Sequence, residues 1–436
     1  MTSDAAESGA RIRTFFVLWI GQLVSVIGSG LTTFALGVWV YRATGSATQY
    51  ALIALFGTLP SIVLGPVAGA LVDRWNRRTA MLVADLVAGA VSIALVVCAR
   101  TDHLSLAVIF VAVSISAISV ALRYPAYTAV VTVLVPRAQL GRAAGLVQAS
   151  DAAAQLICPL AAGALVVRLG ISPILLIDLA SFVVALGTLL ASRVPVIAAP
   201  ARTPFVADLA FGMGYLRAHR GLLALLVFFA IVNLLDGIVV VLAPPMILSF
   251  ADAEGLGFVL TIGGVGMLSG ALMMSAWGGP QRRIPMILWS EVACGVIWIG
   301  AGVPQSVALI AAAAFGLFFL NSIVNSLNNV VWLTKVAPEI QGRVLTVRRM
   351  VVLSTQPLAF LVAGPLADGF ANPLLAPGGA LASSVGRIVG VGPGRGIGFL
   401  FILAGVGTIV AGLAARLHRG IRQLDEPDHE AQERSA

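Results

Sequence analysis

Read for its hydrophobic and polar positions, the chain is a succession of long apolar runs separated by short polar turns. A run of about 18 residues or more is enough to cross about 30 Å of hydrocarbon as a helix. The pattern predicts helices near residues 14–40, 48–72, 79–99, 104–134, 143–167, 173–192, 221–249, 255–278, 285–303, 305–336, 344–370 and 397–417. A β-barrel would instead show short segments of alternating polarity, and the sequence shows none. The first run, Phe15 to Val40, is too long for the apolar part of a signal peptide and is expected to remain as a span.

Composition agrees with the pattern. The chain is 59% hydrophobic and 11% charged, against about 25% charged for a soluble domain. A net charge of +8 would suit a nucleic-acid surface if the basic residues formed one patch. They form short clusters between the apolar runs instead, so the expected partner is a lipid bilayer and not a nucleic acid. Counted by alternate turns, 21 of the 27 Lys and Arg residues fall on one side. The positive-inside rule then predicts a multi-pass inner-membrane protein with both termini in the cytoplasm and an even number of spans. Twelve fits.

The two halves of the chain resemble each other. Val135-Pro-Arg-Ala-Gln-Leu-Gly-Arg142 parallels Val336-Ala-Pro-Glu-Ile-Gln-Gly-Arg343, with Gly141 and Gly342 separated by 201 residues. Gly69-Ala-Leu and Gly270-Ala-Leu stand at the same separation, and Arg77-Arg78 matches Arg282-Arg283 at 205. This predicts an all-α integral membrane protein built from parallel repeats. An N-terminal six-helix bundle would occupy residues 1–192, a basic cytoplasmic linker 193–220, a C-terminal six-helix bundle 221–420 and a cytoplasmic tail 421–436.

Three short motifs carry a resemblance to a known family. Gly69-Ala-Leu-Val-Asp73-Arg74-Trp-Asn-Arg77-Arg78, Cys158-Pro159-Leu-Ala-Ala162-Gly163 and Asn329-Val-Val-Trp332 running into Ala337-Pro338-Glu339-Ile-Gln-Gly-Arg343 together resemble the major facilitator superfamily, in its macrolide-efflux and enterobactin-exporter-like branch. The resemblance implies a cytoplasmic latch made by Gly69, Asp73, Arg74, Arg77 and Arg78. It implies an antiporter-like element at Cys158, Pro159 and Gly163, although two glycines of that element are replaced here by Cys158 and Ala162. It also implies that the first, fourth, seventh and tenth spans line a central cavity. Gly390-Val-Gly-Pro-Gly-Arg-Gly396 lacks the Lys-Ser/Thr and the strand-to-helix setting of a phosphate loop and reads as an external loop.

Charged residues at mid-bilayer cost about 2.5 to 3.5 kcal/mol on insertion scales, so each needs a reason. Ser116, Ser119, Arg123 and Tyr127 share one face of the fourth span. Arg123 there is either a cavity group that balances a carboxylate or an anionic substrate, or a member of a structural ion pair. Asp236, one turn from Asn233 on the seventh span, is the first candidate for carrying a proton between access states. It is otherwise a static partner for Arg123 or for a backbone hydrogen bond. Asp151 on the fifth span is the second candidate, while Asp85, Asp178 and Glu291 fall on spans that the resemblance places outside the cavity. Gln22, Ser25 and Ser29 on the first span and Asn321, Asn325, Asn328 and Trp332 on the tenth form lines that either face a cavity or bond neighbouring helices.

These readings lead to one expectation with two rivals. The expected activity is secondary active export of a small amphipathic molecule (a drug, siderophore or secondary metabolite) by proton antiport and alternating access. The protein would act as a monomer, with the proton gradient as energy source and no cofactor. Proton-coupled uptake of a nutrient is the alternative within the fold; a non-transporting membrane receptor or assembly subunit is the alternative outside it. An enzyme is not expected, since Cys98, Cys158 and Cys294 lie in apolar runs without metal-ligand spacing and His103, His219, His418 and His429 lie outside the helix cores.

Overall fold

The computed structural model describes residues 2–136, 139–192, 205–303 and 305–425. Six helices come first: α1 (Thr2–Thr44), α2 (Ala47–Arg74), α3 (Arg77–Arg100), α4 (Leu106–Leu134), α5 (Leu140–Leu169) and α6 (Ile171–Ala191). A shorter helix, α7 (Phe205–Ala218), precedes α8 (Arg220–Leu248), α9 (Ala253–Trp277), α10 (Arg283–Ala301), α11 (Val307–Lys335) and α12 (Gln341–Pro365). A π-helical turn (Leu366–Ala371) continues α12 into α13 (Asn372–Leu374), followed by α14 (Gly386–Val389), α15 (Arg395–Leu417) and α16 (Arg419–Arg422). No strand occurs among the described residues. Among the described residues, twelve helices are long and apolar enough to span a bilayer: α1–α6, α8–α11, α12 through α13, and α15.

The chain divides into two compact units. The first comprises Met1–Ala201 with Ala251–Thr261, the second Arg202–Phe250 with Ile262–Ala436. Within the first, α1 packs on α5 and α6, α3 on α4 and α6, and α2 on α4. Within the second, α8 packs on α12 and α15, and α10 on α11 and α15. From Gly263 onward α9 packs on α11 through Phe315, Phe318 and Phe319. Both units therefore follow one plan. Helix ends repeat as well: Ser105 and Ser306, 201 residues apart, cap α4 and α11 through their hydroxyls.

Between apolar helices in lipid there is little hydrophobic gain from association, so close backbone approach and van der Waals contact have to hold them together. Glycine supplies that approach. A side-chain carbon at Gly28 would run into Ser181 of α6, and Gly295 and Gly405 each meet the other's backbone carbonyl between α10 and α15. The faces left outside carry large apolar residues such as Val63, Val183, Leu272 and Val410, as a lipid-exposed surface requires.

Parts of the predicted linker and tail are packed against the second unit. Part of the linker predicted at 193–220 forms α7, whose Leu216 is fully buried in the core of the second unit. Gly212 lies against the Arg343 backbone, and the Arg343 guanidinium sits 5.1 Å over the Phe211 ring. The start of the predicted tail is ordered too. Asp425 accepts hydrogen bonds from the backbone N–H groups of Arg283 (3.0 Å) and Ile284 (3.1 Å). It thereby caps α10, whose own flanking residue, Arg282, makes no side-chain cap. Residues 426–436 lie outside the described residues.

Candidate functional site

The first unit contains a cavity of about 300 Å³ bounded by α1, α4 and α5. Gln22, Ser29 and Thr33 reach it from one face of α1, Arg123, Tyr124 and Tyr127 from α4, and Ser150 and Asp151 from α5. Leu23, Val26, Val120 and Val147 make up much of the remaining wall, the mixture of apolar surface and few polar groups that suits an amphipathic ligand. Trp19 also lines it, and its indole N–H is fixed by a 3.1 Å hydrogen bond to the Leu146 carbonyl.

Arg123 is the electrostatic centre of this wall. Its Nη1 donates to Ser25 Oγ at 3.2 Å and stands 3.5 Å from Asp85 Oδ1 on α3. The Asp85 side chain is 0% exposed and that of Arg123 13%, so each charge depends on the other in place of water. The ion-pair partner of Arg123 is thus Asp85 and not Asp236. Behind the same wall Asp178 accepts hydrogen bonds from Ser29 Oγ (3.2 Å) and Ser92 Oγ (2.8 Å), which is a structural role. Asp151, by contrast, makes no hydrogen bond or ion pair among the described residues and opens on the cavity. Gln22 Nε2 and Tyr127 Oη are buried on that wall without a hydrogen bond of good geometry among the described residues; Gln22 neighbours Asp85, and Tyr127 lies within the field of Asp151.

The other predicted cavity residues are placed differently. Ser25 is buried beneath Arg123, and the Ser119 hydroxyl turns back to the Ile115 carbonyl at 3.1 Å. In the second unit Asp236 Oδ1 accepts from the Trp298 indole N–H of α10 at 3.1 Å, and its charge acts on buried Glu291 of the same helix. Asn233 is occupied by the Phe229 carbonyl at 2.7 Å. The tenth-span amide row is split: Asn321 and Asn325 are exposed and bonded to each other at 2.6 Å. Asn328 and Trp332 are buried and joined at 3.0 Å, within the second unit's core. The spacing does put all four on one face. Trp332 belongs to the apolar core of the second unit, and Asn328 is buried beside it, so these two side chains are turned inward while Asn321 and Asn325 are exposed.

The antiporter-like element is a packing seam. A side chain at Gly163 would strike the Ala253 carbonyl, Gly257 lies equally close to the Pro159 backbone, and Cys158 Sγ donates to the Ile27 carbonyl at 3.3 Å. Of the predicted latch, the side chains of Gly69, Asp73 and Arg74 lie outside the described residues. Arg77 begins α3, and Arg78 Nη2 donates to the Leu190 carbonyl at the end of α6 at 2.8 Å. Sequence reasoning missed Tyr124, Trp19 and Ser150, although Trp19 stands three residues before Gln22 and so shares its helical face. No group of three or more His, Cys, Asp or Glu residues able to hold a metal occurs among the described residues.

Twelve membrane-length helices in two units of one plan, with an amphipathic cavity containing a buried ion pair, define a multi-pass membrane protein of the solute-transporter class. The chain belongs to the Major Facilitator Superfamily, whose sequence profile matches residues 18–359. It is 28% identical over 363 residues to Macrolide efflux protein A of Streptococcus pyogenes, covering 81% of this chain and 89% of that protein. It is 26% identical over 369 residues to Multidrug efflux pump Tap of Mycolicibacterium fortuitum, covering 81% and 88%. Among solved structures, a bacterial homolog of the human lysosomal transporter Spinster, inward-facing and unoccupied, superposes with a TM-score of 0.69 at 15% identity over 93% of this chain and 97% of that one. The nucleoside transporter NupG gives 0.66 at 11% identity over 93% and 100%. At these identities the structural likeness shows the fold alone.

Proposed function

We propose that this protein is a secondary active exporter of a small amphipathic molecule, driven by proton antiport through alternating access, with the cavity of the first unit as its substrate pocket. The observation that carries the reading is that Asp151 opens on the cavity without a hydrogen bond or ion pair among the described residues, on the same wall as Arg123, which faces Asp85 and whose charge also acts on Asp151. An unpaired carboxylate on the wall of a largely apolar pocket is a group that a proton and a substrate can use in turn. Asp151 is therefore the first candidate for coupling. Asp236, already bonded to Trp298, is second.

Export is supported by the efflux named for both relatives. Proton-coupled uptake is the alternative, kept open by the two glycines of the fifth-span element that Cys158 and Ala162 replace. The arginine-rich turns support an inner-membrane protein with cytoplasmic termini. The test is transport in everted membrane vesicles with an imposed proton gradient and a labelled macrolide as probe. Proton-driven accumulation that falls to the background level in Asp151→Asn is the expected result. Accumulation in right-side-out vesicles only would reverse the direction, and undiminished proton-driven flux in Asp151→Asn would remove that residue from coupling.

A further inference from the structure

We propose that Arg348, Asn329 and Trp332 in the second unit form a binding site for a phosphate-type anion, separate from the substrate pocket. Arg348 lies in α12, seven residues after Gln341 and so about 10 Å along the helix axis. Its guanidinium is held from two sides. Nη1 donates to Asn329 Oδ1 at 2.9 Å, and the guanidinium carbon sits 5.3 Å over the Trp332 ring. Trp332 is 1% exposed and is itself fixed by Asn328 at 3.0 Å. Two neighbouring turns of α11 thus fix the position of one cation.

That cation lacks a counter-charge. Among the described residues no carboxylate lies within ion-pair distance of Arg348. Arg123, by contrast, faces Asp85 at 3.5 Å, and Arg395 is held by the Val303 and Val389 carbonyls, each at 2.8 Å. An exposed arginine without a carboxylate would be unremarkable, because its side chain can turn toward water. Arg348 is half-buried and pinned by an amide and an indole. A planar guanidinium held in place, with N–H groups still unused, matches the paired oxygens of a phosphate. A phosphate reaching this place comes either from the headgroup of an anionic lipid or from solution, and one chemistry recognises both.

The test uses the full-length protein. Thermal unfolding is followed in detergent against inorganic phosphate, and retention of phosphatidylglycerol is measured by native mass spectrometry. Two variants accompany the wild type: Arg348→Gln, which removes the charge, and Asn329→Asp, which supplies a built-in carboxylate while keeping the acceptor for Nη1. The expected result is that both variants weaken the probe that binds by about tenfold, the scale of one charge-assisted hydrogen bond. Stabilisation by inorganic phosphate assigns a soluble ligand, and retention of phosphatidylglycerol alone assigns a lipid. Should Arg348→Gln not fold, Asn329→Asp decides by itself. Equal binding of both probes by wild type and Asn329→Asp, or no binding by the wild type, overturns the proposal.

Discussion

Arg123 of α4 and Asp85 of α3 face each other at 3.5 Å inside the first unit, at the back of the cavity wall. Neither charge has adequate water, so removing one strands the other. Asp85→Asn is expected to lower stability by about 3 kcal/mol, the lower end of the range for breaking a buried pair. The double variant Asp85→Asn, Arg123→Gln should recover much of that loss. Thermal unfolding of the four proteins in detergent measures both quantities, and additive single losses would show that the two side chains do not interact.

The Trp298 indole N–H depends on Asp236. Asp236→Asn keeps an acceptor oxygen and should leave stability close to wild type. Asp236→Leu strands the buried donor and should cost about 1–3 kcal/mol. Indole fluorescence during denaturation separates the two. Equal behaviour of Asn and Leu would mean that the hydrogen bond does not matter to folding.

Glycine positions divide sharply by what surrounds them. Gly28→Ala would press a methyl group into Ser181 of α6, and a lower unfolding temperature is expected. Gly57→Ala on α2 meets nothing within 4 Å and should be neutral or stabilising by up to about 1 kcal/mol, the helix-propensity gain. If both substitutions behave alike, α1 and α6 are not held by close backbone approach at this point.

Asp425 caps a helix that begins 142 residues before it. Asp425→Ala should cost about 1 kcal/mol through loss of the cap at the start of α10, and Asp425→Asn, which keeps an acceptor, clearly less. Hydrogen exchange of the Arg283 and Ile284 amides reads this directly. Unchanged exchange in Asp425→Ala would show that water satisfies those groups equally well.

The repeat and the span count were legible because they depend on local composition and on short motifs. Gly141 and Gly342 follow corresponding helices, as expected, and Ser105 and Ser306 cap corresponding ones. Arg123, Gln22 and Tyr127 were also legible as cavity residues, since a buried polar group in an apolar helix needs a reason. The different surroundings of Asp236 and Asp151 were not legible. Both are single carboxylates in apolar runs, and only the neighbours, the Trp298 indole for one and the cavity wall with Arg123 for the other, distinguish them. Asn328 shows the same limit, because its polarity does not tell that it lies buried with its side-chain oxygen taken by the Trp332 indole N–H.

From sequence alone came twelve spans, the duplicated plan, the arginine-rich turns and the small set of polar residues that lipid cannot accept. Each follows from the transfer cost of one residue or one run, which depends on chemistry and not on neighbours. Tertiary structure alone decided that Arg123 belongs to Asp85, that Asp151 stays unpaired and that Arg348 lies pinned between Asn329 and Trp332. Those are pairings between helices distant in the chain. Their selection rests on which faces pack together, and glycine contacts such as Gly28 on Ser181 set that packing.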